Sequence, residues 1–473
     1  MIPINLYKES KPKTGVILLR AEWFDSVVAL PELAKDVEKD AQLIREQLEK
    51  QLDITDLWIV NSIAALNKTQ NDLRKNELDL VILMFQVWAE DYFIQPLLNA
   101  IGKTPLAIWC YQPWQELPSH LSFNEVLRGS GLVGTFEGLG TLQNLNTAYF
   151  FTWGSPQQER PLNELFQFAQ AAKVKKRLQA ARIGLLPYRN EQMQSTFVDE
   201  FRLRTQLGPS IEYLSVGDLI QTAQAISPAE TQAYVNYLKN HYPIKNVSEA
   251  TLLKSAQVSL GLAHLAISHQ LDVLSFNDIA EETHKAFGLR PCLYPPILLE
   301  KNIAIALEGD LGAATAVFIL KELSFSPIFF VEFWMWDEKE NILIGGHAGP
   351  QNPQNANPEQ IWISHDYEYA QTDSTEGAHL QFITKEGPVT LFQIRSTPSG
   401  WQAIAFKGVS LGGEPRLEGY PHAIIRPDVS LYQFFRQCAE VGTTQHFAMT
   451  YGDALKEIEH LSKLLNINLK VIH

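Results

Sequence analysis

Cysteine is scarce in this chain. Three residues, Cys110, Cys292 and Cys438, are spread over 473 positions. They are odd in number and never spaced as C-x-x-C, which excludes a disulfide framework and a cysteine zinc site. Each reads as a small buried core residue in a reducing compartment. A positive charge balance is also missing. Lys and Arg number 39 against 53 Asp and Glu, for a net charge of -14. An acidic surface repels the phosphate backbone, so no nucleic-acid partner is expected. The densest basic run, Lys173, Lys175, Lys176 and Arg177, has no interleaved aromatics and reads as a solvated helix or linker face. No stretch approaches about 20 consecutive apolar residues, so no membrane span is expected. Met1 to Gly15 carries Lys8, Lys11 and Lys13 without a following apolar run of secretory length. These absences together predict a soluble, cytoplasmic protein. Phosphate-cradling loops find no support either: the turn after the first strand has no G-x-G-x-x-G, the glycines of Gly129-Ser130-Gly131 and Gly134 come late with no matching strand-to-helix turn, and G-x-x-x-x-G-K-[ST] does not occur.

What is present is ordinary globular material, with 45% hydrophobic and 19% charged residues. That leaves enough for more than one core. In the first third, short apolar runs at 16–19, 57–60, 80–84 and 106–109 alternate with helical segments. One of these opens at Pro31 and places Val37, Ala41, Ile44, Leu48 and Leu52 on one face. Runs at 183–186, 211–214, 271–275 and 303–307 repeat the alternation. Strands separated by helices imply β-α-β units and parallel sheets, which hold ligands at the carboxyl ends of their strands. After residue 325 the runs at 327–336, 341–346, 379–384, 388–395 and 401–409 are punctuated by Gly, Pro and Asn. This is an antiparallel pattern. A helix over 429–441 and a final helix capped at Asp453 close the chain. The expected fold is α/β. Two consecutive parallel-sheet domains, Rossmann-like or flavodoxin-like, span 1–172 and 173–322. A C-terminal β-barrel-like domain with a terminal helix spans 323–473.

Four residues in the last third carry possible chemistry. Glu308 follows an apolar run and precedes Gly309-Asp310. Glu332 interrupts the apolar run 328–336, where an unpaired carboxylate is costly to bury. His347 lies in Gly345-Gly346-His347-Ala348-Gly349, and His446 precedes Phe447. Each also has an ordinary reading: a helix cap, a solvent-facing edge residue, a turn histidine and a satisfied core histidine. Taken together they form an oxygen/nitrogen ligand set without thiolate. That set suits Mn²⁺ best and Co²⁺, Mg²⁺ or Zn²⁺ less well. Two further pairs, Glu281-x-x-His284 and Glu457-x-x-His460, have the spacing of di-iron carboxylate bundles. Strands interrupt their helices, so both read as solvated helix faces. Of the histidines in the β region (His365, His379, His422), His422 reads as part of a surface loop.

The stretch from Ala306 through Glu308-Gly309-Asp310 to Ala314 resembles the Glu-Gly-Asp segment of the L-fucose/L-arabinose isomerase superfamily. Val331-Glu332-Phe333, Ile344 to Pro350 and Thr444 to Asp453 resemble its later segments, in the same order. The likeness covers mainly residues 303–350 and 440–470. It implies a divalent-metal aldose–ketose isomerase acting on an L-pentose or 6-deoxyhexose through a cis-enediol. Glu308 and Glu332 would be metal ligands and the acid/base pair, with His347 and His446 as further ligands. It further implies a homotrimer or homohexamer. Met193, in Glu191-Gln192-Met193, resembles a substrate-pocket methionine, and Trp23, Phe24, Phe85 and Trp88 are candidates for the wall of a monosaccharide pocket. The second carboxylate follows the arabinose branch, while the Tyr451-Gly452 segment looks more like the fucose branch. The competing reading is a sugar-binding protein of the same fold that lacks activity.

Overall fold

A computed structural model describes residues 10–26, 31–369 and 377–473. They form two compact units, Ser10–Lys176 and Arg177–His473.

The first unit is built on five parallel strands: β1 (Lys13–Leu19), β2 (Asp53–Val60), β3 (Leu80–Phe85), β4 (Leu106–Tyr111) and β5 (Phe150–Gly154), in the order β2-β1-β3-β4-β5. The first four fall on the predicted apolar runs. β3 and β4 are buried at every position, as a parallel sheet covered on both faces requires. β5 is an aromatic run that the alternation did not reveal. The helix Pro31–Glu49 buries Val37, Ala41, Ile44 and Leu48, which is the face its periodicity predicts. The basic run lies on the helix Glu159–Ala180, and Lys173 is not solvated. Its stem is buried and its ammonium donates to the Ser10 carbonyl, as long cationic side chains do when the stem covers apolar surface.

The second unit begins with a parallel sheet of four strands: β6 (Arg182–Leu186), β7 (Ser210–Tyr213), β8 (Val273–Phe276) and β9 (Ala304–Leu307), ordered β7-β6-β8-β9. The helix Glu249–Ser268 is long and apolar enough to cross a membrane by length and composition. It packs against the neighbouring helices Val216–Ala225 and Pro228–His241 and is mostly buried, as a core helix is.

Among the described residues nine further strands follow. They are β10 (Phe329–Asp337), β11 (Ile342–Gly346), β12 (Ala356–His365), β13 (Ala378–Thr384), β14 (Gly387–Thr397), β15 (Gly400–Ser410), β16 (His422–Pro427), β17 (Phe447–Tyr451) and β18 (Asn468–Ile472). The strands β16-β11-β10-β17-β14-β15 are hydrogen-bonded in that order, and β15 pairs back onto β16. These six therefore close on themselves, and each pairing among them is antiparallel. Closure removes their edges. His422 starts β16 opposite Gly346 and is fully buried. The surface-loop reading of His422 fails because its strand sits inside the closed sheet.

The helix Leu311–Ser324 joins the two layers of this unit. Its sequence is apolar on every side, and each residue from Leu311 to Leu323 is buried. It touches β8 and β9 on one side and β14 and β17 on the other. Its first turn adjoins the carboxyl end of β9, where the candidate site lies.

Candidate metal centre

β9 ends at Leu307, and the chain turns at once. Glu308 has φ +57° and Gly309 has φ +66°. A glutamate in the left-handed region is strained by roughly 1–2 kcal/mol. Gly309 is required for a second reason. A Cβ there would lie 2.5 Å from the Tyr188 carbonyl oxygen and 2.8 Å from Arg189 Cα. Asp310 then caps the buried helix, its Oδ1 accepting the Ala313 N–H at 2.9 Å. Its other oxygen, Oδ2, lies 2.9 Å from His446 Nδ1. One carboxylate thus starts the helix and orients an imidazole.

His347 leaves β11, and His446 leads into β17. His347 Nδ1 lies 3.0 Å from the Ala348 carbonyl oxygen. With Nδ1 donating in both rings, a neutral imidazole would present its lone pair at Nε2. The two Nε2 atoms and the Glu308 carboxylate lie within 4.8 Å of one another. His446 Nε2 is 3.0 Å from Glu308 Oε2, and His347 Nε2 is 3.7 Å from Glu308 Oε1. All three side chains are buried, and the Phe330 ring packs against both imidazoles. Even so, Glu308 Oε2, His347 Nε2 and His446 Nε2 make no well-aligned hydrogen bond, Glu308 meeting the two imidazoles only as close ion-pair contacts. Leaving one buried polar atom unpaired costs about 1–3 kcal/mol. Three such atoms converging on one point fit a shared cation. The Asp310–His446 bond has the form of the outer contact by which carboxylates fix the tautomer of metal-binding histidines.

Electrostatics agree with this. Burial alone would lower the His446 pKa, but the carboxylates of Asp310 and Glu308 outweigh it and push the pKa up to about 10. Burial alone would raise Glu308. His446 and His347 outweigh it and hold the carboxyl below its ordinary value. In the metal-free chain a proton on His446 serves the carboxylates as an ion would.

Glu332 is not among the three grouped side chains. It lies in β10, between the two strands that carry the histidines. It pairs with Gly346, next to His347, while the preceding Val331 pairs with Phe447, next to His446. Its Oε1 accepts the Trp334 indole N–H at 2.8 Å. Met193 lies in the loop after β6, with its Sδ 3.3 Å from Gln445 Nε2, immediately before His446. In the same loop Asn190 N–H donates to the Glu308 carbonyl at 3.3 Å.

The aromatic candidates all belong to the first unit. Phe85 is buried in its main core, and Phe24 in a smaller cluster against which Trp23 and Trp88 pack half-buried. Of the two Glu-x-x-His pairs, Glu281 faces solvent and pairs with Lys285. His284 departs from the expectation: it turns inward, with its ring 4.1 Å from that of Tyr369 and its Nε2 3.2 Å from the Asp278 carbonyl oxygen. Asp310, Phe330 and Asp278 were not singled out from the sequence. Only Asp310 carried a signal, as a capping residue directly ahead of an apolar helix.

No model of a known protein family matches the chain. Individual relatives do. A sulfoquinovose isomerase of Priestia aryabhattai is 23% identical over 432 residues, covering 87% of this chain and 90% of that protein. A sulfoquinovose isomerase of Alkalicoccus urumqiensis is 21% identical over 399 residues, covering 82% and 85%. An L-arabinose isomerase of Aeromonas hydrophila subsp. hydrophila is 22% identical over 391 residues, covering 76% and 73%. The resemblance carried by residues 303–350 and 440–470 is thus borne out and extends over most of the chain, at low identity. The branch stays unresolved, because relatives carry two different isomerase names.

Proposed function

We propose that this chain is a divalent-metal-dependent aldose–ketose isomerase with its centre at the carboxyl end of β9. The observation that carries the reading is the convergence of three buried ligand atoms, none in a well-aligned hydrogen bond, from Glu308, His347 and His446. The names of relatives that align over most of the chain support the reaction class. A pure binder has no use for such a set, so the inactive sugar-binding reading is not favoured.

The reaction moves one hydrogen between neighbouring carbons. A base takes the proton from C2 of the aldose, and the electron pair left behind becomes the C1=C2 bond of a cis-enediol. A proton returned to C1 and one passed from O2 to O1 complete the ketose. Glu308, His347 and His446 would hold the ion, with Mn²⁺ the best match to a carboxylate–imidazole set and Co²⁺ or Mg²⁺ as alternatives. Bound there, the ion would polarise the sugar carbonyl and offset enediolate charge. Glu308 is committed to two imidazoles, which leaves Glu332 as the carboxylate that moves the carbon-bound proton. The Trp334 indole holds one of its oxygens in place. Met193 would touch the sugar beside His446.

The substrate is a monosaccharide, proposed as an L-pentose or a 6-deoxyhexose. The relatives' names add sulfoquinovose to the sugars worth testing. A homotrimer or homohexamer in the cytoplasm completes the reading. Support for self-association comes from the first unit, where Phe123, Val126, Leu132, Val133 and Phe136 expose apolar surface along two successive helices.

Elemental analysis of the purified chain comes first, followed by aldose-to-ketose conversion with added Mn²⁺ across pentoses, 6-deoxyhexoses and sulfoquinovose. Metal retained by the wild type, lost in Glu308→Ala and needed for conversion is the expected result. No bound metal and no conversion of any sugar would overturn the reading.

A further inference from the structure

A second cluster of charge lies next to the centre and takes no part in the ligand set. Asp278 follows β8 by two residues and so sits at the same end of the parallel sheet as Glu308. Its side chain is completely buried. Oδ2 lies 3.4 Å from Arg290 Nη1, while Oδ1 has no hydrogen-bond partner. Burial and the nearby Glu308 carboxylate push its pKa above the ordinary value, against the opposing pull of Arg290 and His347.

Arg290 is itself fully buried and gripped by more acid than it can neutralise. Its Nε and Nη2 reach Asp366 at 3.0 and 2.8 Å in a two-point fork. Its Nη1 also lies 2.6 Å from Glu368 Oε2. One guanidinium therefore faces three carboxylates, of which Asp278 and Asp366 are buried. Excess buried negative charge is costly unless a cation stands nearby.

The turn that carries His347 rests directly on this cluster. Gly349 has φ +84°, and a Cβ there would lie 3.3 Å from Asp278 Oδ2 and 2.8 Å from a Leu307 methyl. The Gly349 carbonyl oxygen lies 3.3 Å from Nε2 of the buried His379. Both charged clusters thus meet at the turn 347–349.

We infer that Asp278, anchored by Arg290, is a positioning residue of the metal centre: it braces the turn carrying His347 and supplies the outer negative charge that a divalent ion on Glu308, His347 and His446 requires. The inference rests on the reading that those three residues hold such an ion. Outer partners of this kind typically contribute about 10–100-fold to metal affinity.

The test titrates Mn²⁺ into the chelator-stripped full chain by calorimetry, with free Mn²⁺ read by electron paramagnetic resonance. Wild type, Glu308→Gln, Asp278→Asn and Arg290→Lys are compared. Asp278→Asn is expected to weaken Mn²⁺ binding about 10-fold or more. The thermal midpoint of the metal-free chain should hold or rise, because one of three carboxylates around a single guanidinium has lost its charge. A merely structural role would instead lower that midpoint and spare the affinity of the folded fraction. Wild-type affinity in Asp278→Asn overturns the inference. If that variant does not fold, Arg290→Lys decides by the same titration: it keeps the charge but loses the fork. Weakened binding supports the inference, and unchanged binding overturns it. If the wild type binds no Mn²⁺, the metal reading itself fails. If Glu308→Gln alone loses binding, that reading stands and only the role of Asp278 falls.

Discussion

The molecule has two parallel sheets, and the carboxyl ends of their strands are finished differently. In the first unit, Arg20 after β1 and Gln86 after β3 sit where the strand order reverses, the usual ligand crevice of such a sheet. The two side chains bond to each other, and Arg20 Nη2 also lies 3.7 Å from Glu38 Oε2. Arg20 Nε donates to Gln86 Oε1 at 2.7 Å, and Gln86 Nε2 donates to the Val37 carbonyl at 2.6 Å. In the second unit, the end of β9 leaves a carboxylate oxygen and two imidazole nitrogens buried without well-aligned hydrogen bonds. The same architecture supports a closed polar pair in one place and an open ligand set in the other. The turns differ as well: Glu308, directly after β9, is left-handed, whereas neither Arg20 after β1 nor Gln86 after β3 has a positive φ. Three ligand-type atoms converging on one point beside a left-handed glutamate, more than the topology of the sheet, set the second end apart.

The comparison breaks most readily at Glu308. Glu308→Gln keeps the size of the side chain but removes the charge between two imidazoles. Bound metal and isomerase turnover should both vanish, as elemental analysis and a ketose assay would show. Glu332→Gln should separate the two roles. Turnover is expected to fall about 10²–10⁴-fold, the usual share of a general acid or base, while metal content stays near that of the wild type. Retained turnover in Glu332→Gln would remove that residue from proton transfer.

Acid should distinguish the units next. The first unit, Ser10–Lys176, contains one histidine, the exposed His120. The second holds His379, fully buried, whose pKa burial pushes down to about 4. Between pH 4 and 6.5 the unfolded chain binds a proton at this position that the folded chain refuses. Stability is therefore complete above about pH 6.5 and is lost as the pH falls toward 4, by about 3 kcal/mol from this group alone. Denaturant titrations at pH 7 and pH 4.5 should show the loss in the transition of the second unit. His379→Gln keeps a donor for the Gly349 carbonyl and should flatten the pH dependence. An equally steep dependence in that variant would assign the acid sensitivity to other groups.

Local patterns in the sequence announced most strands and little of the pairing between distant segments. β1, β3, β4, β6, β8 and β9 were legible as apolar runs because strands buried on both faces are nearly continuous in apolar residues. β12 was not, since it begins Ala-Asn-Pro-Glu-Gln, and β18 was not, since Asn468–Ile472 is short and only partly buried. Glu308 and His446 stood out within segments of distinct composition. The Asp310–His446 bond did not, because its partners are 136 residues apart. Arg290 with Asp366 was hidden for the same reason. Lys173 and His422 were misplaced because composition reports polarity, whereas burial depends on what the fold lays over a residue.

The smallest effect tests the closed end. Gln86 is buried and serves as both acceptor and donor. Gln86→Leu would leave Arg20 Nε and the Val37 carbonyl without these partners, at a cost of about 1–3 kcal/mol to the first unit. The metal affinity of the centre should not change, because nothing in this pair belongs to the ligand set. Denaturant unfolding read beside an Mn²⁺ titration checks both halves. Lost stability with unchanged affinity would show that the pair's polarity serves the fold alone. A drop in affinity would mean that the first sheet end also takes part in the chemistry, and the contrast between a closed and an open end would fall with it.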